Sequence, residues 1–355
     1  MAAANGSVRV SGSRLRLFQA AAIALGVCVG LAIMEVSLRT WPGLLGQDFV
    51  NGVRSKYRTG PGGIFYRDNR LGIHFMIPNY RTEMYYNNYV WTHETDALGF
   101  RNRAVSIPAD VMLLGDSMIY GHGVEIDSTV GVLLENMTGL RVANLARQGD
   151  CAFQQTYLLT EYIGTFRPRH VIYFFFENDI SDLNQFLNDA AMRAFVARPL
   201  EDIRYPPRTD PAVALRERET TLRFWLVRLR DASYSLKAAR WLWSRLGVAA
   251  VRAAPPTSYL DDPSSLEWQY TRKAIAYMHW LSARHDAELA IVPIVPHRRH
   301  YREILSRIAA ELGVTYLDTD AFTSADRSLW LPGDGHFSVL GAQRMAALVA
   351  AHVGR

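Results

Sequence analysis

From about residue 110 onward, short apolar runs alternate with longer segments of helical spacing, and this alternation limits the possible folds more than any other feature. Apolar runs that predict buried strands lie at 111–114, 142–145, 170–176, 289–295 and 314–317. Segments that predict helices lie at 130–137, 153–166, 266–283, 301–312 and 339–353. This alternation is typical of a parallel sheet covered by helices on both faces. The sequence therefore predicts an α/β fold, a three-layer α/β/α domain with a mostly parallel sheet.

The α/β pattern occupies about 106–355 and is interrupted at about 182–262. Within the interruption, apolar side chains recur at helical spacing with arginines between them, at Leu222, Trp225, Leu226 and Leu229. This pattern predicts a helical insertion that covers the core; a lid, or a surface resting on anionic lipid headgroups, is the alternative. Residues 42–105 predict an irregular segment with a few strands that packs on the α/β domain, and residues 85–91 within it predict an edge strand.

Polar residues follow the predicted strands at their carboxyl ends, where functional residues of an open parallel sheet collect. They supply a hydroxyl, a glycine turn, a side-chain amide and an Asp/His pair, in the order Ser117, Gly149, Asn178, Asp334 and His336. Acyl transfer needs a nucleophile, a base, a group that orients the base, and donors for the oxyanion. These residue types therefore predict an acyl-transfer site.

The same residues resemble the conserved blocks of the SGNH (GDSL-type) hydrolases. Gly115-Asp116-Ser117 is similar to the first block, and the longer run GDSMIYGHGVE resembles membrane-anchored bacterial members. Asn144 with Gly149 resembles the second block, Asn178 with Asp179 resembles the third, and Asp334 with His336 resembles the last. The resemblance covers about residues 96–355 without the insertion. It implies a flavodoxin-like sheet and ester chemistry at a serine nucleophile.

Each site residue then receives a role from the resemblance. Ser117 would be the nucleophile, His336 the general base and then acid, and Asp334 the group that orients the imidazole. The backbone N–H groups of Ser117 and Gly149 and the amide of Asn178 would form the oxyanion hole. The alternatives from the residues alone are a helix cap for Ser117 or Asn178 and a surface loop for His336.

Three further residues are candidates for substrate contact. Phe176 stands where the third block usually has glycine, and it would narrow the acyl pocket or signal a different acceptor. Asp116 is a candidate whose alternative is a hydrogen-bond acceptor in the turn. His122 lies between two glycines near Ser117, and its alternative is an ordinary loop residue.

The amino terminus predicts a membrane anchor. Residues 17–34 are apolar except for Gln19, which gives roughly 27 Å of helix at about 1.5 Å per residue, against a hydrocarbon core of about 30 Å. Arginines precede the run, so residues 1–16 are predicted as a cytoplasmic tail and 17–38 as the span. The rest of the chain is then predicted to be extracytoplasmic, or periplasmic, on a single-pass inner membrane protein. A cleaved signal peptide is the alternative.

Other partners are predicted to be absent. The net charge is +5, but the arginines are spread along the chain without a basic arm, which argues against nucleic acid. His93-Glu94 and the histidines at 297–300 lack metal-ligand spacing, so we expect no metal and no cofactor.

Three functions remain open from the sequence. The first is a serine esterase that cleaves an acyl ester, with an O-acetyl group on cell-surface carbohydrate as the substrate that the resemblance implies. The second is an O-acetyltransferase that uses the same Ser-His-Asp set. The third is an inactive carbohydrate-binding or scaffold protein. A lipid ester is the second candidate substrate, and the sequence identifies no protein partner.

Overall fold

The computed structural model describes residues 12–251 and 257–354. Its backbone contacts divide the chain into two compact units, one built from 54–225 and 253–355 and the other from 1–53 and 226–252. The predicted cytoplasmic tail at 1–16 lies outside the described residues except for its last five positions.

The described elements are thirteen α-helices and nine strands, with short 3-10 turns between some of them. The helices are α1 (Gly12–Thr40), α2 (Gln47–Arg54), α3 (Ser117–Tyr120), α4 (Val130–Thr138), α5 (Ala152–Phe166), α6 (Asp179–Phe186), α7 (Asp189–Ala197), α8 (Pro211–Thr220), α9 (Leu222–Ala232), α10 (Tyr234–Val251), α11 (Leu266–Ala283), α12 (His300–Leu312) and α13 (Val339–Val353). The strands are β1 (Phe65–Arg67), β2 (His74–Met76), β3 (Arg81–Tyr86), β4 (Tyr89–Glu94), β5 (Val111–Leu114), β6 (Val142–Asn144), β7 (His170–Phe176), β8 (Glu288–Ile294) and β9 (Thr315–Tyr316).

The larger unit is built on a parallel sheet of five strands. The strand order is β6-β5-β7-β8-β9, and every neighbouring pair is parallel. Numbered along the sheet's own strands this is the order 2-1-3-4-5, which is the flavodoxin-like arrangement. The predicted α/β fold with a mostly parallel sheet is therefore confirmed.

Both faces of the sheet are buried because the strands are apolar at most of their positions. Met112 and Leu114 belong to a core with α5, α11 and α12, whereas Val111 and Leu113 belong to a core with α4 and α13. Side chains along a strand alternate between faces, so one apolar run serves both cores. This arrangement leaves the loops at the carboxyl edge of the sheet as the place where polar side chains converge.

The segment before β5 contains two hairpins, so the predicted edge strand at 85–91 is wrong in form. β3 and β4 pair antiparallel with Tyr86 opposite Tyr89. Asn87 and Asn88 make the turn between them, with φ of 46° and 68°. Tight hairpin turns need positive φ at both central residues, and asparagine tolerates that conformation better than most residues. The turn was not predicted because the tyrosines on both sides of it continue the pattern of a single strand.

The described part of the interrupted region at 182–262 is mostly helical, but the expected apolar stripe does not cover a core. Leu222, Leu226 and Leu229 are 74%, 57% and 69% exposed, and Trp225 is half exposed. The interpretation of this stripe as core-covering is therefore wrong. The two alternatives, a lid and a surface that rests on anionic lipid headgroups, stay predictions.

In the smaller unit, α1 is long and apolar enough to cross a membrane, the one such helix among the described residues. A signal sequence has the same length and composition. Beyond the apolar run, Glu35 receives the Tyr234 and Ser235 backbone N–H groups at 2.9 and 2.8 Å and so caps the start of α10. Leu38, Phe49, Val53 and Ala238 form a small apolar core beside that cap.

Candidate active site

Ser117 is presented by a sharp turn between β5 and the one-turn helix α3. Asp116 caps α3 by accepting the Met118 N–H at 2.9 Å, and it also lies 3.3 Å from the Ser117 hydroxyl. A Cβ on Gly115 would lie 2.9 Å from Ile119 Cγ1 and 3.3 Å from Phe174 Cβ, so the turn needs glycine there. The hydroxyl is thereby held at the carboxyl edge of the sheet, on the first residue of the four-residue helix α3.

The structure brings Ser117, His336 and Asp334 together across 219 residues of chain. His336 Nε2 lies 2.8 Å from Ser117 Oγ, and His336 Nδ1 donates to Asp334 Oδ1. The Ser117 side chain is 8% exposed, and that of His336 is 20% exposed. A hydroxyl, an imidazole and a carboxylate in this order can transfer a proton from the serine as it attacks a carbonyl carbon.

The loop that carries Asp334 and His336 is fixed by backbone contacts and by two glycines. The Leu331 N–H donates to the His336 carbonyl at 2.7 Å, closing the loop between its ends. Gly333 and Gly335 have φ of +73° and +86°, the left-handed region that favours glycine. The loop is therefore tight, and its geometry sets the direction in which the imidazole points.

The side chain of Asp334 is fully buried and has polar partners on both carboxylate oxygens. Oδ1 accepts from His336, and Oδ2 accepts from Asn87 Nδ2 at 2.8 Å. Burial alone would raise the pKa of this carboxyl, but the imidazoles of His122 and His336 outweigh burial and hold the pKa below its usual value. Asp334 is therefore ionised wherever a neutral His336 could act as a base.

The residues predicted for the oxyanion hole differ in whether their N–H groups already have a hydrogen-bond partner. Gly149 has φ of +73°, and no other group in the described chain hydrogen-bonds to its N–H. The Asn178 amide instead donates to Asp182 Oδ2 at 2.9 Å, and its buried Oδ1 has no partner in the described chain. Asn178 occupies the N-cap position of α6 without a side-chain capping bond. The amide nitrogen carries a second N–H beside the one donated to Asp182, and the oxyanion role of Asn178 stays a prediction.

The loop that carries Gly149 is held by a buried ion pair that sequence reasoning missed. Arg147 Nε and Nη2 contact the two carboxylate oxygens of Asp150 at 2.8 and 3.1 Å. Arg147 also donates to the His74 carbonyl at 2.6 Å and stacks over Phe75. Two parallel hydrogen bonds fix direction as well as distance, so the pair sets the path of the loop.

The three candidates for substrate contact lie in packed or hydrogen-bonded positions, and their contact with a substrate stays a prediction. Asp116 is 1% exposed and serves as the acceptor in the turn, which was its alternative interpretation. His122 is 3% exposed and faces inward. Phe176 ends β7 opposite Ile294 and packs on the core shared with α4 and α13. Apolar packing explains the position of Phe176, and the turn before α3 explains that of Asp116.

Several residues around the site were not singled out by the sequence, because they come from the segment before β5. They are Tyr57, Tyr86, Asn87 and Trp91, and with Gln148 they surround His122 and Asp334. The only local signal for any of them was the Asn87-Asn88 pair, which marks a hairpin turn.

A cavity of ≈ 480 Å³ opens beside the loop that carries Asp334. Its lining combines polar and apolar side chains, among them His297, Ser324, Arg327, Trp330 and Leu331. Such mixed lining suits a ligand that has both hydroxyl groups and apolar faces.

Two groups of side chains in the described chain bring three metal-capable ligands together. His122, Asp334 and His336 form one, and His170, Glu288 and His352 form the other, with all ligand atoms of each group within 4.8 Å of one another. In the first group the contacts among the three side chains, and those with Ser117 and Asn87, already account for the arrangement. The expectation of no metal stays a prediction.

No family model matches the chain, and no curated protein matches it. The solved structures to which it is similar are GDSL-type lipases, acylhydrolases and esterases. TesA is 11% identical over 67% of this chain and 94% of its own, with a TM-score of 0.38. A lipolytic protein of the G-D-S-L family from Desulfitobacterium hafniense is 13% identical over 68% and 97%, with a TM-score of 0.39. The acetylxylan esterase Axe2 from Geobacillus stearothermophilus is 13% identical over 71% and 96%, with a TM-score of 0.38.

Proposed function

We propose that this protein is a serine esterase of SGNH type, tethered to a membrane, that cleaves an acyl ester through a Ser117 acyl-enzyme. The observation that carries the proposal is the 2.8 Å contact between Ser117 Oγ and His336 Nε2, with Asp334 accepting on the other side of the ring. The alternative roles, a helix cap for Ser117 and a surface loop residue for His336, do not explain why the three side chains contact one another in this order.

The chemistry follows from these contacts. Ser117 Oγ attacks the ester carbonyl carbon while His336 takes the hydroxyl proton, and Asp334 stabilises the imidazolium that forms. The Gly149 N–H supports the proposal as a donor for the oxyanion, because no other group in the described chain occupies it. His336 then protonates the departing alcohol oxygen. A water molecule gives a proton to His336 as it attacks the acyl carbon, the bond from that carbon to Ser117 Oγ breaks, and His336 returns the proton to Oγ as the acid leaves.

The proposed substrate is an O-acetyl ester on cell-surface carbohydrate. Sugars present hydroxyl groups beside apolar C–H faces, and the ≈ 480 Å³ cavity beside Asp334 has both kinds of lining. An acetyltransferase would differ only in the last step, with a sugar hydroxyl in place of water. Incubation of the acyl-enzyme with and without a sugar acceptor distinguishes the two reactions by their product.

The proposed location is extracytoplasmic, with α1 as a single span. Arg14 and Arg16 precede the apolar run, and positive charge favours the cytoplasmic side. Alkaline phosphatase fused after Arg355 should be active in cells, because that enzyme works only outside the cytoplasm. An inactive, stable fusion would contradict the orientation.

Fluorophosphonate labelling of the full chain in detergent tests the enzyme proposal. The wild type should gain one adduct on Ser117 and should hydrolyse a chromogenic acetyl ester. Ser117→Ala should lose both activities, whereas Ser264→Ala, at an exposed turn serine before α11, should keep them. A wild type that is folded but neither labelled nor hydrolytic would refute the proposal.

A further inference from the structure

His122 is held in one place by its own turn. Gly121 and Gly123 flank it with φ of +84° and +77°. A Cβ on Gly123 would lie 2.3 Å from Leu331 Cδ1, and one on Gly121 would lie 2.5 Å from Thr129 Cγ2. The positive φ angles and the close contacts favour glycine at both flanking positions, so the backbone on both sides sets where the imidazole lies.

The His122 ring lies face to face with the ring of His336. Their centroids are 3.9 Å apart, and the planes differ by 13°. On its other sides His122 meets aromatic rings of the segment before β5, with centroid distances of 4.7 Å to Trp91, 5.2 Å to Tyr86 and 5.6 Å to Tyr57. The stacked ring therefore cannot tilt without displacing this aromatic wall.

Polar contacts fix the tautomer of His122. Its Nδ1 lies 2.9 Å from Gln148 Nε2 and 3.0 Å from the Tyr57 hydroxyl. An amide nitrogen can only donate, so Nδ1 accepts and the ring proton resides on Nε2. Nε2 is buried, has no hydrogen-bond partner in the described chain, and lies 3.7 Å from Asp334 Oδ1. This N–H thus points toward the carboxylate that orients His336.

His122 also stays uncharged. Burial, together with the nearby His336, lowers its pKa to about 4 against the opposing effect of Asp334. The titratable groups that face it are Asp334, His336, Tyr57 and Tyr86. A charged ring at 3.9 Å would oppose the imidazolium that forms on His336 during the reaction, whereas a neutral ring does not.

We propose that His122 is a positioning residue, which holds the ring plane of His336 by stacking and favours the Asp334 carboxylate electrostatically through its Nε2–H at 3.7 Å. The inference rests on the proposed function, because it concerns the same Ser-His-Asp set. It also assigns a task to the segment before β5, whose aromatic side chains hold His122 against the site. A displacement of about 1 Å in a reacting group can cost about 10²-fold in rate, so loss of this support should be of that order.

His122→Phe removes both nitrogens and keeps a flat ring, and His122→Gln keeps an N–H donor without the ring. The matched control is His285→Phe, at an exposed turn between α11 and β8 on the opposite edge of the sheet. For each full-length protein we would measure kcat and KM with an acetyl ester, the rate constant of fluorophosphonate labelling, and the fraction of molecules labelled at completion.

The expected result for both His122 variants is complete labelling at a rate constant lowered about 10²-fold, a similar loss of kcat, and a nearly unchanged KM. A merely structural role would instead lower the labelled fraction and leave the rate of the labelled molecules unchanged. If either folded variant kept the wild-type rate constant, or if only its labelled fraction fell, the inference would be overturned. An unlabelled wild type would instead refute the proposed function, so the two failures are distinguishable.

Discussion

Replacing Asp334 by asparagine tests whether the carboxylate controls the tautomer of His336. In the wild type, Oδ1 accepts from His336 Nδ1 and Oδ2 accepts from the Asn87 amide at 2.8 Å. An asparagine at 334 has only one acceptor oxygen. Because Asn87 presents an N–H group, that oxygen is drawn toward Asn87, and the new NH₂ group faces His336 Nδ1.

This orientation makes Nδ1 an acceptor and moves the ring proton of His336 to Nε2. Nε2 lies 2.8 Å from Ser117 Oγ, and a protonated Nε2 cannot take the serine proton. A wrong tautomer in a Ser-His-Asp set costs about 10⁴-fold in turnover, or about 5.4 kcal/mol at 1.36 kcal/mol per tenfold. We therefore expect Asp334→Asn to fold normally and to lose about four orders of magnitude in kcat.

The double variant Asn87→Asp/Asp334→Asn makes the prediction specific to this structure. A carboxylate at 87 would accept from the NH₂ group of the asparagine introduced at 334 and so return the oxygen of that amide to His336 Nδ1. Stopped assays with a chromogenic acetyl ester, and the rate of fluorophosphonate labelling, should show the double variant at least tenfold faster than Asp334→Asn. A double variant no faster than the single one, with both folded, would refute the role of Asn87 in setting the tautomer.

Two further predictions concern stability. Asp150→Asn should lower the free energy of unfolding by about 3–5 kcal/mol, because it leaves the guanidinium of Arg147 buried without a countercharge; a loss below about 1 kcal/mol in chemical denaturation would contradict this. Burial lowers the pKa of His93 to about 3 from the usual 6.5. The unfolded chain thus binds the extra proton first, and the stability should fall as the pH drops from about 6.5 toward 3. Tm measured across that range should decline less steeply in His93→Gln.

The sheet could be predicted from the sequence because each of its elements carries a local signal. The residues at 170–176 are apolar at nearly every position, as a strand buried on both faces requires, and the observed strand has those bounds. The helix at 339–353 likewise has its predicted bounds, with Ser338 capping it through the Gly341 N–H. Such signals act over a few residues and need no knowledge of the rest of the chain.

The surroundings of the site could not be predicted, because their signals are not local. Asn87 meets Asp334 across 247 positions of chain, and Tyr57 meets His122 across 65. Nothing in the residues around Asn87 indicates a carboxylate partner. The hairpin that places it was hidden as well, since tyrosines on both sides of its turn continue the pattern of a single strand.

The long separation between Ser117 and His336 has a consequence for biosynthesis. The nucleophile and its turn leave the ribosome early, whereas the imidazole is encoded 219 positions later. Until His336 has been synthesised and has docked, the Ser117 hydroxyl lacks the imidazole that contacts it in the folded chain. A product that ends before residue 336 would therefore lack the proposed base and should not react with a fluorophosphonate.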